Sequence, residues 1–99
     1  MEYEHCVYIL ECNDGSLYTG YTNNLKRRID THQQGKGAKY TRGRTPVELV
    51  YVERFETKTE AMQAEYQIKK LPRVNKLEII NVKEKEGKVN VEAVKLSIK

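Results

Sequence analysis

Five side chains of this 99-residue chain have types suited to phosphate chemistry: Tyr8, Tyr18, Arg28, His32 and Glu65. Arginine is a permanent cation whose planar fork fits phosphate oxygens. Arg28 falls three residues after Leu25, nearer the buried side of its segment than Lys26 or Arg27. Glu65 borders an apolar stripe of Ala61, Ala64, Ile68 and Leu71, where a carboxylate is costly unless it is paired or holds a cation. A salt bridge to Lys69, one helical turn on, is the competing explanation. A tyrosine hydroxyl can position or deprotonate water, but with an ordinary pKa of about 10 it needs a nearby metal or arginine to lower it. His32, seven residues after Leu25 and three after Ile29, suits a general base, a phosphate donor or a half-buried structural histidine equally. Hydrolysis of a phosphodiester needs an activated water, counter-charge for the transition state and help for the leaving oxygen. Those needs match this set of side chains.

The elements that must position them are legible in outline. Cys6–Cys12 and Ser16–Thr22 are rich in β-branched and aromatic residues, and Asn13-Asp14-Gly15 between them signals a turn. A two-residue loop would send Tyr8 and Tyr18 to opposite faces. A three-residue loop, a type I turn with Gly15 as a G1 bulge, pairs Leu10 with Tyr18 and Tyr8 with Gly20. Both tyrosines then share a face, Gly20 leaves room beside Tyr8, and Val7, Ile9 and Leu17 form the opposite side. The bulged turn is the expectation. Asn23 or Asn24 caps a first helix carrying Leu25, Ile29 and His32 on one face. Gln34–Thr45, rich in glycine and bases and without periodicity, predicts an exposed, mobile loop. Pro46–Phe55 predicts a third strand. Thr57 to Glu60 fits a capping box that opens a second helix, and Pro72 ends it. A shorter helix from about Arg73 to Val82 should turn Val74, Leu77 and Ile79 or Ile80 inward. The order β-β-α-β-α-α predicts an α/β (α+β) domain over residues 1–82, a small three-stranded antiparallel sheet flanked by helices. Residues 83–99 read as a polar C-terminal extension, in which Val89–Ile98 is a stray strand or a loose tail.

Charge is segregated. The formal net charge is +4, yet residues 24–47 hold seven bases against Asp30 alone, and residues 66–77 hold four bases and no acid. Two basic blocks suggest a polyanionic partner, with an idle solvated surface as the alternative. No apolar run approaches the ~20 residues of a membrane span. The acidic start Met1–His5 leads straight into a strand, which points to the cytoplasm rather than secretion. Cys6 and Cys12, roughly 20 Å apart along one strand, are beyond disulfide reach and expected to be reduced.

Cys6-Val7-Tyr8, Tyr18-Thr19-Gly20, Arg28, His32 and Glu65, in this order, resemble the motifs of the GIY-YIG nuclease superfamily. Gly37-Ala38-Lys39-Tyr40-Thr41-Arg42, Arg44-Thr45-Pro46 and Ile68-Lys69-Lys70-Leu71 extend the likeness to its small stand-alone bacterial branch. They extend it also to the catalytic domain of the structure-specific nuclease that trims flaps and junctions. The first triplet departs by Cys6 in place of Gly, and the second by Thr19 in place of Ile. The resemblance implies a GIY-YIG endonuclease-like fold and a metal-dependent endonuclease that hydrolyses DNA, single-stranded or branched. A non-cleaving nucleic-acid-binding module of the same fold is the alternative. It implies Tyr8, Tyr18, Arg28 and His32 as catalytic residues, Glu65 as ligand of Mg²⁺ or Mn²⁺, and Gly20 as a structural member of the motif. Some relatives carry a later active-site Asn, for which Asn75 is the nearby candidate. Arg27, Lys36, Lys39, Tyr40, Arg42, Arg44, Lys69 and Lys70 are the expected contacts to nucleic acid, DNA rather than RNA, through charge and base stacking.

Overall fold

A computed structural model describes residues 5–85. Strands β1 (His5–Glu11), β2 (Leu17–Thr22) and β3 (Glu48–Phe55) form one antiparallel sheet in the order β2-β1-β3. Helix α1 (Leu25–Gln33) follows β2, and α2 (Lys58–Lys69) and α3 (Arg73–Lys85) follow β3. The fold is the expected α+β arrangement with the order β-β-α-β-α-α.

The hairpin takes the three-residue form. The Gly15 N–H donates to the Cys12 carbonyl at 2.9 Å, the Cys12 N–H donates to the Ser16 carbonyl at 2.8 Å, and Gly15 has φ +85°. That left-handed conformation is easy only for glycine. The register that follows sets Tyr8 opposite Gly20 and Leu10 opposite Tyr18. Asp14 secures the turn by accepting from the Ser16 N–H at 3.0 Å and the Ser16 hydroxyl at 2.5 Å.

Each face of the sheet has its own core. Cys6, Tyr8 and Leu10 pack with Leu25 and Ile29 of α1, while Val7 and Ile9 pack with Ala61 and Ile68 of α2 and Ile80 of α3. A bulge in β3 helps to fill both. Ile9 pairs with Tyr51 and Leu10 with Leu49, so Val50 has no partner in the ladder. Val50 and Tyr51 therefore join the α2 side, and Leu49 and Val52 join the α1 side.

Helix starts follow side-chain chemistry. The Asn24 side chain accepts from the Arg27 N–H, and Thr57 accepts from the Glu60 N–H. These caps place Arg28 one turn into α1 and Glu65 in the middle of α2.

Three expectations need correction. The 34–45 segment is not an exposed loop: Gly37 and Thr41 are buried, and Lys39–Thr41 forms a 3₁₀ turn. Gln33 holds its far end by donating to the Val47 carbonyl at 2.7 Å and accepting from the Val47 N–H at 3.1 Å. Helix α3 does not stop at Val82 but runs to Lys85, so the start of the expected polar break is helical; residues 86–99 lie outside the described residues. Val74 and Leu77 do not face inward but are 62% and 43% exposed. α3 meets the sheet through Ile79 and Ile80 near Tyr51, and its first turn projects past that contact. Cys6 and Cys12 are both buried, and neither is in a disulfide. Among the described residues, no helix is long and apolar enough to cross a membrane.

Candidate active site

Tyr8 lies on the central strand with no exposed surface, and Tyr18 leans on it from β2 with ring centroids 6.3 Å apart. Gly20 makes this packing possible. A Cβ there would stand 2.5 Å from the Tyr8 Oη, too close unless that hydroxyl moves, and 3.0 Å from the Tyr18 ring, a tight contact. From α1 the Arg28 guanidinium reaches both tyrosine hydroxyls closely enough to interact with each, Tyr8 more strongly. Its Nε is buried with no hydrogen-bond partner among the described residues. Arg28 also lines a polar cleft of about 460 Å³ with Arg27, Thr22, Asn23, Asn24 and Thr31.

Behind Tyr8 sits His32, fully buried. Its Nε2 is 2.9 Å from the Tyr8 Oη, and its Nδ1 is 2.9 Å from the Thr41 hydroxyl. Burial, reinforced by the Arg28 charge, lowers the His32 pKa to about 4, so the ring is neutral at physiological pH. Tyr8 does not become the readily ionised base that sequence chemistry asked for. Burial pushes its pKa up to about 12, outweighing the Arg28 hydrogen bond that favours the phenolate. The negative charge of Glu65 also reaches Tyr8 and raises it further, so α2 brings its carboxylate into the electrostatic field of the same hydroxyl.

The Glu65 side chain is 13% exposed and pairs with Lys69 at 3.1 Å, the i+4 contact that sequence spacing allowed. Among the described residues no trio of His, Cys, Asp and Glu is grouped to hold a metal. One carboxylate suits a hard cation that keeps most of its waters, as Mg²⁺ does, and does not suit a zinc cage.

The expected nucleic-acid contacts fall into two groups. Arg27, Lys36, Arg42 and Lys70 are exposed cations, with Lys70 4.8 Å over the Tyr66 ring. Lys39 stands in the 3₁₀ turn. Arg44, by contrast, is committed within the fold. Its Nε donates to Asp14 at 3.0 Å, its guanidinium lies 4.5 Å over the Tyr40 ring, and it also donates to the Tyr40 carbonyl. Tyr40 in turn packs on Tyr18, 5.9 Å between centroids, although 41% of it remains exposed. Both residues roof the tyrosine pair. Asn75 donates to Glu78 within α3, which leaves it occupied locally.

Sequence reading passed over two residues of this site, Thr41 and Gly37. A Cβ on Gly37 would stand 2.3 Å from the His32 Nδ1, so the chain must lack a side chain where it crosses the imidazole. In the sequence both residues stand within the stretch 37–42 that extends the family likeness, but nothing there assigns either a role beside His32.

A family model described as the GIY-YIG catalytic domain matches residues 4–78. The chain is 60% identical over 86 residues to a UPF0213 protein of Oceanobacillus iheyensis, a match covering 87% of this chain and 100% of that one. It is 64% identical over 77 residues to a UPF0213 protein of Clostridium perfringens, covering 78% and 83% of the two chains. Among solved structures, it resembles the solution NMR structure of a UPF0213 protein from Bacillus halodurans at 56% identity and a TM-score of 0.55, covering 80% of this chain and 84% of that one. It also resembles the solution NMR structure of an E. faecalis protein at 43% identity and a TM-score of 0.57, covering 82% and 86%.

Proposed function

Because this chain belongs to the GIY-YIG catalytic-domain family, we propose that it is an endonuclease that hydrolyses phosphodiester bonds, in DNA rather than RNA. The observation that carries this reading is the convergence on Tyr8 of three groups from separate elements: Tyr18 from β2, Arg28 from α1 and the charge of Glu65 from α2. A structural core has no need to set an arginine against two phenols within the field of a carboxylate.

Glu65 would hold a divalent cation, Mg²⁺ or Mn²⁺, through its carboxylate, with water and phosphate oxygens completing the shell; when bound, the ion supplies Lewis-acid charge to the phosphate. Arg28 binds the phosphate from the polar cleft, where its unpartnered Nε–H and the charge of its fork answer the charge that develops in the transition state. A phenol with its pKa near 12 cannot wait as phenolate at neutral pH. It must pass its own proton on as it takes one from water, and the acceptor in reach is the His32 Nε2 at 2.9 Å. Phosphate bound at Arg28 would offset the cation that helps to keep His32 neutral, which eases that transfer. Arg27, Lys36, Arg42 and Lys70 would extend the positive surface along the strand, and Tyr40 with Arg44 orders the roof instead of stacking on bases. Lys69 would leave Glu65 for a phosphate when the cation enters.

Labelled single-stranded, flap and duplex DNA, incubated with and without Mg²⁺ or Mn²⁺, tests the reading. Glu65→Gln should abolish cleavage and leave binding nearly intact; cutting that survives this change would sink the metal assignment. The second reading, a module that binds without cutting, is favoured by the Glu65–Lys69 ion pair, which already neutralises the carboxylate. It predicts salt-sensitive binding and no cation-dependent cleavage.

A further inference from the structure

We propose that Thr41 is a positioning residue: it fixes which nitrogen of His32 carries hydrogen, and so the direction in which Tyr8 can hand on a proton. The functional half of this inference rests on the nuclease reading above. The tautomer itself follows from counting donors and acceptors.

The Thr41 hydroxyl has a single hydrogen, and it is directed to the Ala38 carbonyl at 3.0 Å. Its oxygen therefore acts as acceptor toward the other near neighbour, the His32 Nδ1 at 2.9 Å. That contact places the imidazole hydrogen on Nδ1. A neutral ring protonated there has its lone pair on Nε2, which faces the Tyr8 hydroxyl at 2.9 Å. Tyr8 must then donate. The reverse arrangement would place two N–H donors, from Arg28 and His32, on the Tyr8 oxygen. It would also turn the Tyr8 hydrogen away from its acceptor in a residue with no exposed surface.

The backbone is built to keep Thr41 there. Its N–H donates to the same Ala38 carbonyl at 3.0 Å, closing the 3₁₀ turn, and its side chain is fully buried. Gly37 crosses the imidazole where a Cβ would stand 2.3 Å from Nδ1, so a side chain at this position would displace the ring. The segment after α1 is thus the mount of the imidazole.

The chemical consequence balances at each atom. Tyr8 has no exposed surface in the free chain, so the step requires substrate to bring a water to its hydroxyl. An O–H bond of that water then breaks and its hydrogen joins the Tyr8 oxygen. The hydrogen already on that oxygen moves to the His32 Nε2, giving an imidazolium whose Nδ1–H still rests on Thr41. The hydroxide so formed attacks phosphorus, the scissile P–O bond breaks, and the leaving oxygen departs as alkoxide and takes a proton from solvent. The imidazolium returns its proton through Tyr8 to reset the pair. With the hydrogen on Nε2 instead, the Tyr8 oxygen would be the acceptor of His32 and its proton would have nowhere to go.

Long-range ¹H–¹⁵N correlation of the imidazoles reads the tautomer directly. The chain has two histidines, His5 and His32, so a His5→Gln variant assigns the spectrum. Wild-type His32 should show the Nδ1–H form, Thr41→Val should convert it to Nε2–H or a mixture, and Thr41→Ser should restore it. The Thr41→Val kcat should fall about 10- to 100-fold, below the full range of general-base effects. Its Mn²⁺ and DNA affinities should stay unchanged, with Thr41→Ser again restoring the rate. Hydrogen on Nε2 in the wild type overturns the assignment even if Thr41→Val fails to fold. So does a Thr41→Val variant with unchanged tautomer and kcat. A wild-type chain that carries the Nδ1–H form but cuts no nucleic acid overturns the nuclease reading, and with it the functional half. One that cuts while carrying hydrogen on Nε2 overturns this inference alone.

Discussion

On one side of the site, Tyr8, His32 and Thr41 are sealed from solvent and joined in a single line of hydrogen bonds. On the other, Glu65 keeps 13% of its surface and its partner Lys69 keeps 54%. The two sides hold their polar groups by different physics. Removing one partner from a buried hydrogen bond leaves the other unsatisfied, at about 1–3 kcal/mol. An ion pair one helical turn apart with a solvated lysine is worth only about 0.3–0.5 kcal/mol. The line of buried hydrogen bonds is therefore locked in, whereas the carboxylate is held by a partner it can readily give up.

The contrast can be broken hardest on the enclosed side. Gly20→Ala would drive a methyl into the Tyr8 hydroxyl, a group pinned by Arg28 and His32 and without room to swing away. Overpacking of this kind costs about 1–3 kcal/mol, read from urea unfolding. A displaced Tyr8 should cost cleavage more than about tenfold besides. A variant as stable and active as wild type would mean that the tyrosine pair is not tightly packed.

Acid should loosen the same side by degrees rather than at a stroke. The unfolded chain takes up a proton on His32 near its ordinary pKa of 6.5, while the folded chain resists until about 4. Between those values the unfolded state binds more protons, so stability falls as pH drops through that window and levels off below it. The loss is about 3 kcal/mol in total. Most telling is the slope of the urea midpoint between pH 6.5 and 5, above the range of ordinary carboxylates. It should vanish in His32→Gln, and a slope that persists there must come from another group.

The smallest effect belongs to the open side. Lys69→Gln should tighten Mn²⁺ binding about two- to threefold, in proportion to the modest strength of an exposed pair. Lys70→Gln, which removes the same charge from a residue resting on Tyr66, should do less. Equal responses, measured by electron paramagnetic resonance of free Mn²⁺, would show a general field and no specific competition.

What could be foreseen from sequence follows the range of the forces involved. The bulged hairpin was legible because Asn13-Asp14-Gly15 dictates it within five residues, and its register placed Tyr8, Tyr18 and Gly20 together before any packing was known. The caps at Asn24 and Thr57 are equally local. Illegible were contacts between distant segments: Arg44 reaching back to Asp14, and Thr41 reaching under α1 to His32. The 34–45 segment has no periodicity because its buried residues are single points of contact, not a face. The bulge at Val50 was hidden for a related reason. In a strand buried on both sides every residue is apolar, so a slip in alternation leaves no trace in the sequence. Val74 and Leu77 misled in the opposite way, since an apolar residue on a helix does not say whether the sheet extends far enough to cover it.

β1 has a neighbour on either side, and Tyr8 lies in its middle. Amide exchange separates fraying edges from protected interiors, and a strand hydrogen-bonded on both flanks belongs to the last unit to open. The Tyr8 phenol is therefore anchored to the backbone expected to exchange most slowly. Its lifetime in working order is that of the folded domain itself, not of any surface segment that breathes.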